Sequence, residues 1–445
     1  MELSERIFEA GIVGCGGAGF PTNVKYENPA EVFIVNGAEC EPLLGTDKYL
    51  MRHNAARIIK AADAVADMLH AKDTVIALKE HYKREAAALS AEIEKTGSRI
   101  RIFELGNFYP AGDEQVLVYE VTKRIVPPAG LPADVGVTVS NIGTMNAVCD
   151  AMEGRSFTHK YLTVTGAVRN PCIYKVPIGT PMMACVEDAI PEYEDCDYIM
   201  GGPMMGHLYT RREIEKQVIT KTVSGIVVLP SQSYIGSRYS TDLRTMLRRA
   251  RSCCIQCSIC TELCSRHMLG HPIKPSKIMR KFAISTDISQ IMEDEDVKQA
   301  LICSECGICE EYACPMGLQP RKINQIIKEL YREEGVKYVR SEERIEADIM
   351  REYRKIPTRH LALRIGLSGY YGIDLENFKE LNPGKVIIPL KQNAGVQSTA
   401  VVSEGDKVVC GQLIARCPEG QLGANQHASI DGVVKSVCDR ITIEG

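Results

Sequence analysis

Cys254-Ile-Gln-Cys257-Ser-Ile-Cys260-Thr-Glu-Leu-Cys264 and, farther along, Cys303-Ser-Glu-Cys306-Gly-Ile-Cys309-Glu-Glu-Tyr-Ala-Cys314-Pro315 hold eight of the 18 cysteines in the chain. Three thiolates two residues apart can wrap one face of a cubane cluster, and the fourth must come from farther away. In two-cluster ferredoxins each run lends its last Cys to the other run's cluster. The spacing therefore predicts two [4Fe–4S] clusters, one on Cys254, Cys257, Cys260 and Cys314, the other on Cys303, Cys306, Cys309 and Cys264. Two departures stand out. Ser265 occupies the place where the first run would have Pro, and the second run has four spacer residues before its last Cys instead of three. Structural zinc is the alternative, but zinc sites pair Cys-x2-Cys units into sets of four, which two triple runs fit poorly. Cys253 is surplus and reads as a packed thiol. The other nine cysteines show no ligand spacing and read as small buried hydrophobes.

At about 100–200 residues per domain, 445 residues predict two to four domains. A composition of 45% hydrophobic and 25% charged residues is that of a soluble globular protein. A net charge of -4 gives no support for nucleic-acid binding. No apolar run approaches the roughly 18–20 residues that span a bilayer, and the start, Met1-Glu-Leu-Ser-Glu-Arg6, has neither the basic nor the apolar part of a secretory signal. The expected location is the cytoplasm. Disulfides are rare there, so the cysteines point to metal or redox work.

Around the cysteine runs the pattern divides into five parts. Residues 1–156 alternate short buried strands (Val32–Val35, Thr74–Leu78, Val135–Val139) with amphipathic helices (Ser4–Ala10, Thr46–Leu69, Tyr82–Glu94). That order predicts an α/β layer with parallel strands. Residues 157–236 read as a β-rich domain of hairpins, with Gly201-Gly-Pro-Met-Met-Gly206 as a tight loop. Residues 237–335 are helical and carry the cysteines. Residues 336–385 are charged and read as a connector with one or two helices. Residues 386–445 are short strands between Gly turns, a small barrel or sandwich. The predicted fold is thus multidomain, α/β plus α+β.

Two clusters in one chain make a wire, and a wire needs a donor. Gly14-Cys-Gly-Gly-Ala-Gly19-Phe20-Pro can bring backbone N–H groups to a phosphate. No strand precedes it, so it is not a Rossmann fingerprint, and alone it reads equally as a tight turn. Asn36-Gly-Ala-Glu39-Cys-Glu41-Pro follows a predicted strand, where ligands of open α/β sheets bind. Tyr109-Pro-Ala-Gly112-Asp113-Glu114 is a third polar cluster. Each reads singly as a solvated loop; together, in one domain, they argue for a site.

These motifs, with Lys25 and Gly201–Gly206 in the same order, resemble the RnfC family, which is related to the NADH-binding flavin subunit of respiratory complex I. The resemblance covers nearly the whole chain. It implies an FMN- and NADH-binding α/β domain, a soluble-ligand-binding β-grasp (SLBB) domain, the two-cluster ferredoxin-like domain and a C-terminal barrel-sandwich hybrid. Carried over position by position, it implies flavin contacts from Gly14, Gly16, Gly17, Gly19, Phe20, Lys25, Asn36, Gly112, Asp113, Glu114, Asn141 and Thr144. Lys25 would offer its cation to the FMN phosphate, and Glu39 and Glu41 would face the NADH ribose and nicotinamide as the catalytic pair. Ala38 stands where the complex I protein has an acidic flavin contact, a change common among RnfC-like proteins. The last 60 residues lack the Met-Lys-Met turn of lipoyl and biotinyl carriers, so they are expected to dock or brace rather than carry a group. In membrane RnfC this module comes first; placed last, the order resembles the PduS-type cobalamin reductases of propanediol-using microcompartments.

The function expected is electron transfer from NADH through FMN and two [4Fe–4S] clusters to an acceptor, foremost a corrinoid. One alternative is an electron-input subunit of a larger oxidoreductase, such as a methylenetetrahydrofolate reductase or a membrane Rnf-type complex, with a protein partner as acceptor and a hetero-complex or homo-oligomer as its working form. Another is a non-enzymatic ferredoxin-like scaffold. No Asp-x-His-x-x-Gly corrinoid run is present. His207, His267, His271 and His427 are scattered, so a corrinoid is expected on a partner enzyme or in solution.

Overall fold

The computed structural model describes residues 2–340 and 344–445. Its first sheet has four parallel strands in the order Arg101–Leu105, Asp73–Lys79, Val32–Asn36, Val137–Asn141. Strands buried on both faces read as continuous apolar runs. Phe33, Val35, Ile76 and Leu78 face one helical layer through Ile58, Ile59 and Val65, while Ile34, Val75 and Ala77 face Val116, Leu117 and Val118 on the other side. The helix expected over Thr46–Leu69 is two, Thr46–His53 and Ala55–Met68, because Asn54 leaves helical dihedrals and donates its amide to Asn146. Arg101–Leu105, too short and charged to show a period, was not foreseen as a strand. The loop after Asn36 and the start of the helix Ile142–Met152, capped by Asn141, share the carboxyl edge of the sheet, and the glycine loop packs beside them.

The second sheet has six strands, in the order Phe378–Glu380, Cys172–Pro177, His159–Gly166, Gly225–Pro230, Cys196–Met200, His207–Tyr209. Three neighbouring pairs are antiparallel, two of them the hairpins that a hairpin reading predicts, His159–Gly166 with Cys172–Pro177 and Cys196–Met200 with His207–Tyr209 around the Gly201–Gly206 loop, and the third Gly225–Pro230 with Cys196–Met200. Gly225–Pro230, however, lies parallel to His159–Gly166. The edge strand Phe378–Glu380 comes from the segment expected to be a connector. The same segment pairs Ile356–Pro357 with Phe108–Tyr109 of the first domain, so residues 336–385 strap the domains together. Strands two or three residues long carry no periodicity to read.

Helices Leu243–Cys253, Pro275–Ile284 and Pro320–Glu333 enclose a third core of Ile278, Phe282, Ile323, Ile327 and Tyr331. The extra spacer residue of the second cysteine run is taken up by a single π-helical turn, Ile308–Tyr312, the usual way a helix absorbs one inserted residue near a functional site. The C-terminal unit is two small sheets closing on Val386, Ile388, Ile414, Val434, Ile441 and Ile443. It is fixed to the rest by Ser429, whose hydroxyl donates to the Ile178 carbonyl, and by Lys221. The buried Lys221 amine donates to the carbonyls of Gly11 (2.8 Å) and Asn425 (2.7 Å), joining three units at one atom. Burial pulls its pKa down to about 7.

Candidate functional site

The fold gathers the eight cysteines into two sets. The Cys260 thiol lies among those of Cys254, Cys257 and Cys314, which line one pocket with Pro315 and Met316. The Cys309 thiol lies among those of Cys303, Cys306 and Cys264. Each run thus sends its last cysteine to the other set. Among the described residues no three His, Cys, Asp or Glu side chains converge on a single-ion site. Burial and the neighbouring thiols push Cys260 and Cys264 up to about 12. A cationic centre is needed to hold them as thiolates, and all-sulfur donors suit iron–sulfur chemistry.

The two sets differ in surroundings. Cys257 is exposed, whereas Cys306 and Cys309 are buried. Ser265 places its hydroxyl 3.8 Å from the Cys306 sulfur, and the Asn324 amide donates to the Cys303 sulfur at 3.5 Å. A backbone N–H also reaches Cys303, from Glu305 at 3.4 Å. The Cys254 set receives one such bond, from the Leu318 N–H to Cys314 at 3.3 Å. His271 is buried against the Val126 carbonyl, its pKa drawn down to about 4 by burial, so it braces the fold.

At the carboxyl edge of the parallel sheet, three predicted motifs line one cleft. Gly16, Gly17 and Ala18 are exposed there, and among the described residues no acceptor meets the N–H of Gly16 or Gly17. Thr144 fixes the loop by accepting the Cys15 N–H at 3.0 Å, and Lys160, itself buried, donates to the Cys15 carbonyl. A Cβ on Gly16 would come within 3.0 Å of the Asn141 amide, and one on Gly112 within 2.5 Å of the Ala38 carbonyl oxygen. Gly14 donates to the Phe20 carbonyl and Gly19 passes through a positive φ, which closes the turn and leaves Phe20 exposed. Asn36 bridges the motifs, donating to Gly112 and accepting from Ala38. Free N–H groups on one wall and polar side chains on the other suit a phosphate-bearing aromatic cofactor.

Not every predicted contact points into open space. Lys25 is ion-paired with Glu114 at 2.6 Å. Asp113 caps the helix Glu114–Thr122 and also grips Arg266 of the cysteine domain with both oxygens, at 2.5 and 3.0 Å. Glu41 accepts the N–H groups of Met204 (2.9 Å) and Met205 (2.8 Å), so two sequence motifs lock together through one carboxylate. Gly202 must be glycine for this clamp, because a Cβ would fall 2.1 Å from a Glu41 oxygen. Burial lifts Glu41 to about 7 despite the two donors. Glu39 stays in the cleft with its pKa raised by burial and by the nearby Asp47 and Glu41. Asp47, which sequence reasoning missed, is raised by burial and accepts from Asn141 at 2.8 Å. An acid in the buried first turn of an amphipathic helix was the only signal it gave. Lys160 and the buried Lys79, which donates to Thr358, were missed as well. Tyr109 closes the distance between cleft and cysteines: its hydroxyl donates to the Cys306 carbonyl at 2.7 Å.

Family comparisons match four stretches of the chain. The Nuo51 FMN-binding domain covers residues 7–150, an SLBB domain 161–189, a 4Fe-4S dicluster domain 253–319 and the RnfC barrel-sandwich hybrid domain 376–445. The chain therefore has an FMN-binding and a 4Fe–4S-binding domain. An NAD+-reducing [NiFe]-hydrogenase shares the fold at TM-score 0.51 and 18% identity, over 77% of this chain and 68% of the matched one. A component of the proton-translocating ferredoxin:NAD(+) oxidoreductase complex of Clostridium ljungdahlii is 34% identical over 60% of this chain and 56% of its own. The cobalamin reductases PduS of Salmonella typhimurium and Citrobacter freundii are 40% and 38% identical, over 99% and 98% of this chain and 95% of theirs. Identity at that level along almost the entire length of both proteins makes this chain a member of the PduS family of RnfC-related iron–sulfur flavoproteins.

Proposed function

We propose that this chain oxidises NADH in the cleft and delivers the electrons, by way of the two thiol sets, to a corrinoid. FMN in the cleft and a [4Fe–4S] cluster on each thiol set supply, when bound, the conversion of a two-electron donor into one-electron steps that no side chain performs. The protein's part is to hold and orient. Thr144 and Lys160 set the Gly14–Gly19 loop so that its N–H groups face the cleft. Asp47 holds the Asn141 amide. Lys25, held by Glu114 at 2.6 Å, is the cation that would meet the cofactor's phosphate. Glu39 would meet the nucleotide as a largely protonated carboxyl able to donate a hydrogen bond, its pKa raised to about 8 by burial and by Asp47 and Glu41. Glu41 acts at one remove: it ties the cleft to the Gly201–Gly206 loop and is a positioning residue rather than a nicotinamide contact.

The observation that carries this reading is the Tyr109 hydroxyl on the Cys306 carbonyl. It joins the motif beside the cleft directly to a cluster-type thiol set, an arrangement a scaffold has no use for. The test is anaerobic mixing of cofactor-replete protein with NADH and hydroxocobalamin. Two cobalt(III) centres reduced to cobalt(II) per NADH consumed is the expected result; NADH left intact would overturn the reading. The resemblance to components of oxidoreductase complexes supports a second reading, in which the acceptor is another protein. The exposed rim of the Cys254 set, with Ile255 61% exposed, favours it.

A further inference from the structure

A second large cavity lies outside the cleft. This groove, of about 990 Å³, runs between the edge strand His207–Tyr209 of the β-grasp sheet and the helix Pro320–Glu333 of the cysteine domain. Small-molecule sites range over roughly 300–1,000 Å³, so this groove is at the size of a very large ligand. Among the described residues no cysteine lines it, but two of its lining residues adjoin the buried thiol set. Glu305, between Cys303 and Cys306, lines it, and so does Lys328, which donates to the Cys303 carbonyl at 3.1 Å. Gly206 at one end closes the loop whose Met204 and Met205 N–H groups hold Glu41. The groove and the cleft motifs thus each touch the loop of the same thiol set, through the Cys303 carbonyl on one side and the Cys306 carbonyl on the other.

The lining is mixed in a particular way. Leu208 and Ile326 offer apolar surface. Tyr209 and Gln325 offer hydroxyl and amide groups that donate and accept. Lys322 brings positive charge and Arg332 is paired with Glu329 at 3.2 Å, while Glu213, Glu305 and Glu310 bring negative charge, so the lining is mixed in sign. At the inner end Arg321 is only 4% exposed, and its Nε finds no partner among the described residues. A buried donor without an acceptor is unfavourable, and a ligand carbonyl in the groove would relieve it. A corrinoid matches this lining: an apolar macrocycle face, a periphery of amides, and one phosphodiester.

We propose that this groove binds the corrinoid acceptor, so that the corrinoid is reduced on this chain and not only on a partner enzyme. The inference rests on the NADH-to-corrinoid reading above and adds the place. The balance is simple. NADH leaves as NAD+, giving two electrons and one proton; two hydroxocobalamin molecules each take one electron, cobalt(III) becoming cobalt(II), and the two axial hydroxides leave as water with that proton and one more from solvent.

Hydroxocobalamin is the probe, titrated into the cofactor-replete full chain and into two variants on opposite walls, Gln325→Trp and Tyr209→Ala. Saturable binding by the unaltered protein is expected. Each variant should weaken binding at least tenfold and raise the KM of NADH-driven hydroxocobalamin reduction by the same factor. Binding unchanged in both variants would overturn the proposal. So would non-saturable reduction at the same rate in all three proteins, which would place the electron exit on another surface. NADH oxidation by ferricyanide, measured on the unaltered protein, separates the two levels. If ferricyanide is not reduced, the oxidoreductase reading fails; if it is reduced and hydroxocobalamin does not bind, the groove alone fails.

Discussion

The two thiol sets use the same four residues in nearly the same spacing, yet the fold treats them differently. The Cys254 set sits at the surface, with Cys257 and Ile255 exposed. Arg249, Arg280 and Arg364 bond to its loop carbonyls without a carboxylate partner among the described residues. The Cys303 set is wedged between three domains. Cys306 packs with Leu43, Tyr109 and Met204, and Ser265 and Asn324 direct polar hydrogens at its sulfurs. Hydrogen bonds and burial tune cluster potentials, so one motif used twice gives two unlike centres. The surroundings, more than the ligands, decide what each set does.

The largest effect that can break this comparison is on stability. Cys306→Ser should remove the buried centre and its interdomain packing together, costing on the order of 3 kcal/mol and about 6–12 °C in the thermal transition. Cys257→Ser, at the surface, should cost under about 1 kcal/mol. Equal losses would mean the two sets are structurally equivalent. Next is the clamp beside the buried set. Folded Glu41 keeps its proton up to about pH 7, whereas the unfolded chain releases it near 4.5. The unfolded state therefore binds fewer protons in that window, and stability should fall as pH rises from about 4.5 to 7, by at most about 3 kcal/mol, then level off. Glu41→Gln should flatten that part of the profile in denaturant melts; the same slope in both proteins would contradict the clamp.

Smaller effects sharpen the difference. Ser265→Ala removes one donor from Cys306 and should lower the potential of one cluster by up to about 60 mV, the one-electron equivalent of tenfold, leaving the other unmoved in an EPR-monitored titration. A shift in both, or in neither, would deny Ser265 its role. Arg249→Glu with Arg280→Glu should slow NADH-driven ferricyanide reduction a few-fold at low salt, an effect that fades as the ionic strength approaches 1 M. No salt-dependent difference would show that small anions do not collect electrons at the Cys254 rim.

Much of this was legible in the chain. The cysteine spacing and the three cleft motifs are local patterns, and local patterns survive folding. Even the two departures were visible as departures: Ser265 for Pro proves to face Cys306, and the fourth spacer residue becomes the turn Ile308–Tyr312. What could not be read was long-range. Asp47 and Lys221 look like ordinary helix and loop residues until burial sets them against Asn141 and against the Gly11 and Asn425 carbonyls. Glu41 looks like a ligand contact until Met204 and Met205 fold over it. Ile356–Pro357 and Phe378–Glu380 are strands only because Phe108–Tyr109 and Cys172–Pro177 present an open edge to them.

The central claim, that the cleft feeds electrons into both thiol sets, is tested most directly by an anaerobic NADH titration of cofactor-replete protein, followed by flavin and iron–sulfur absorbance. The account predicts that both bleach together as NADH is added. Clusters that stay oxidised under NADH yet are reduced by dithionite would contradict it.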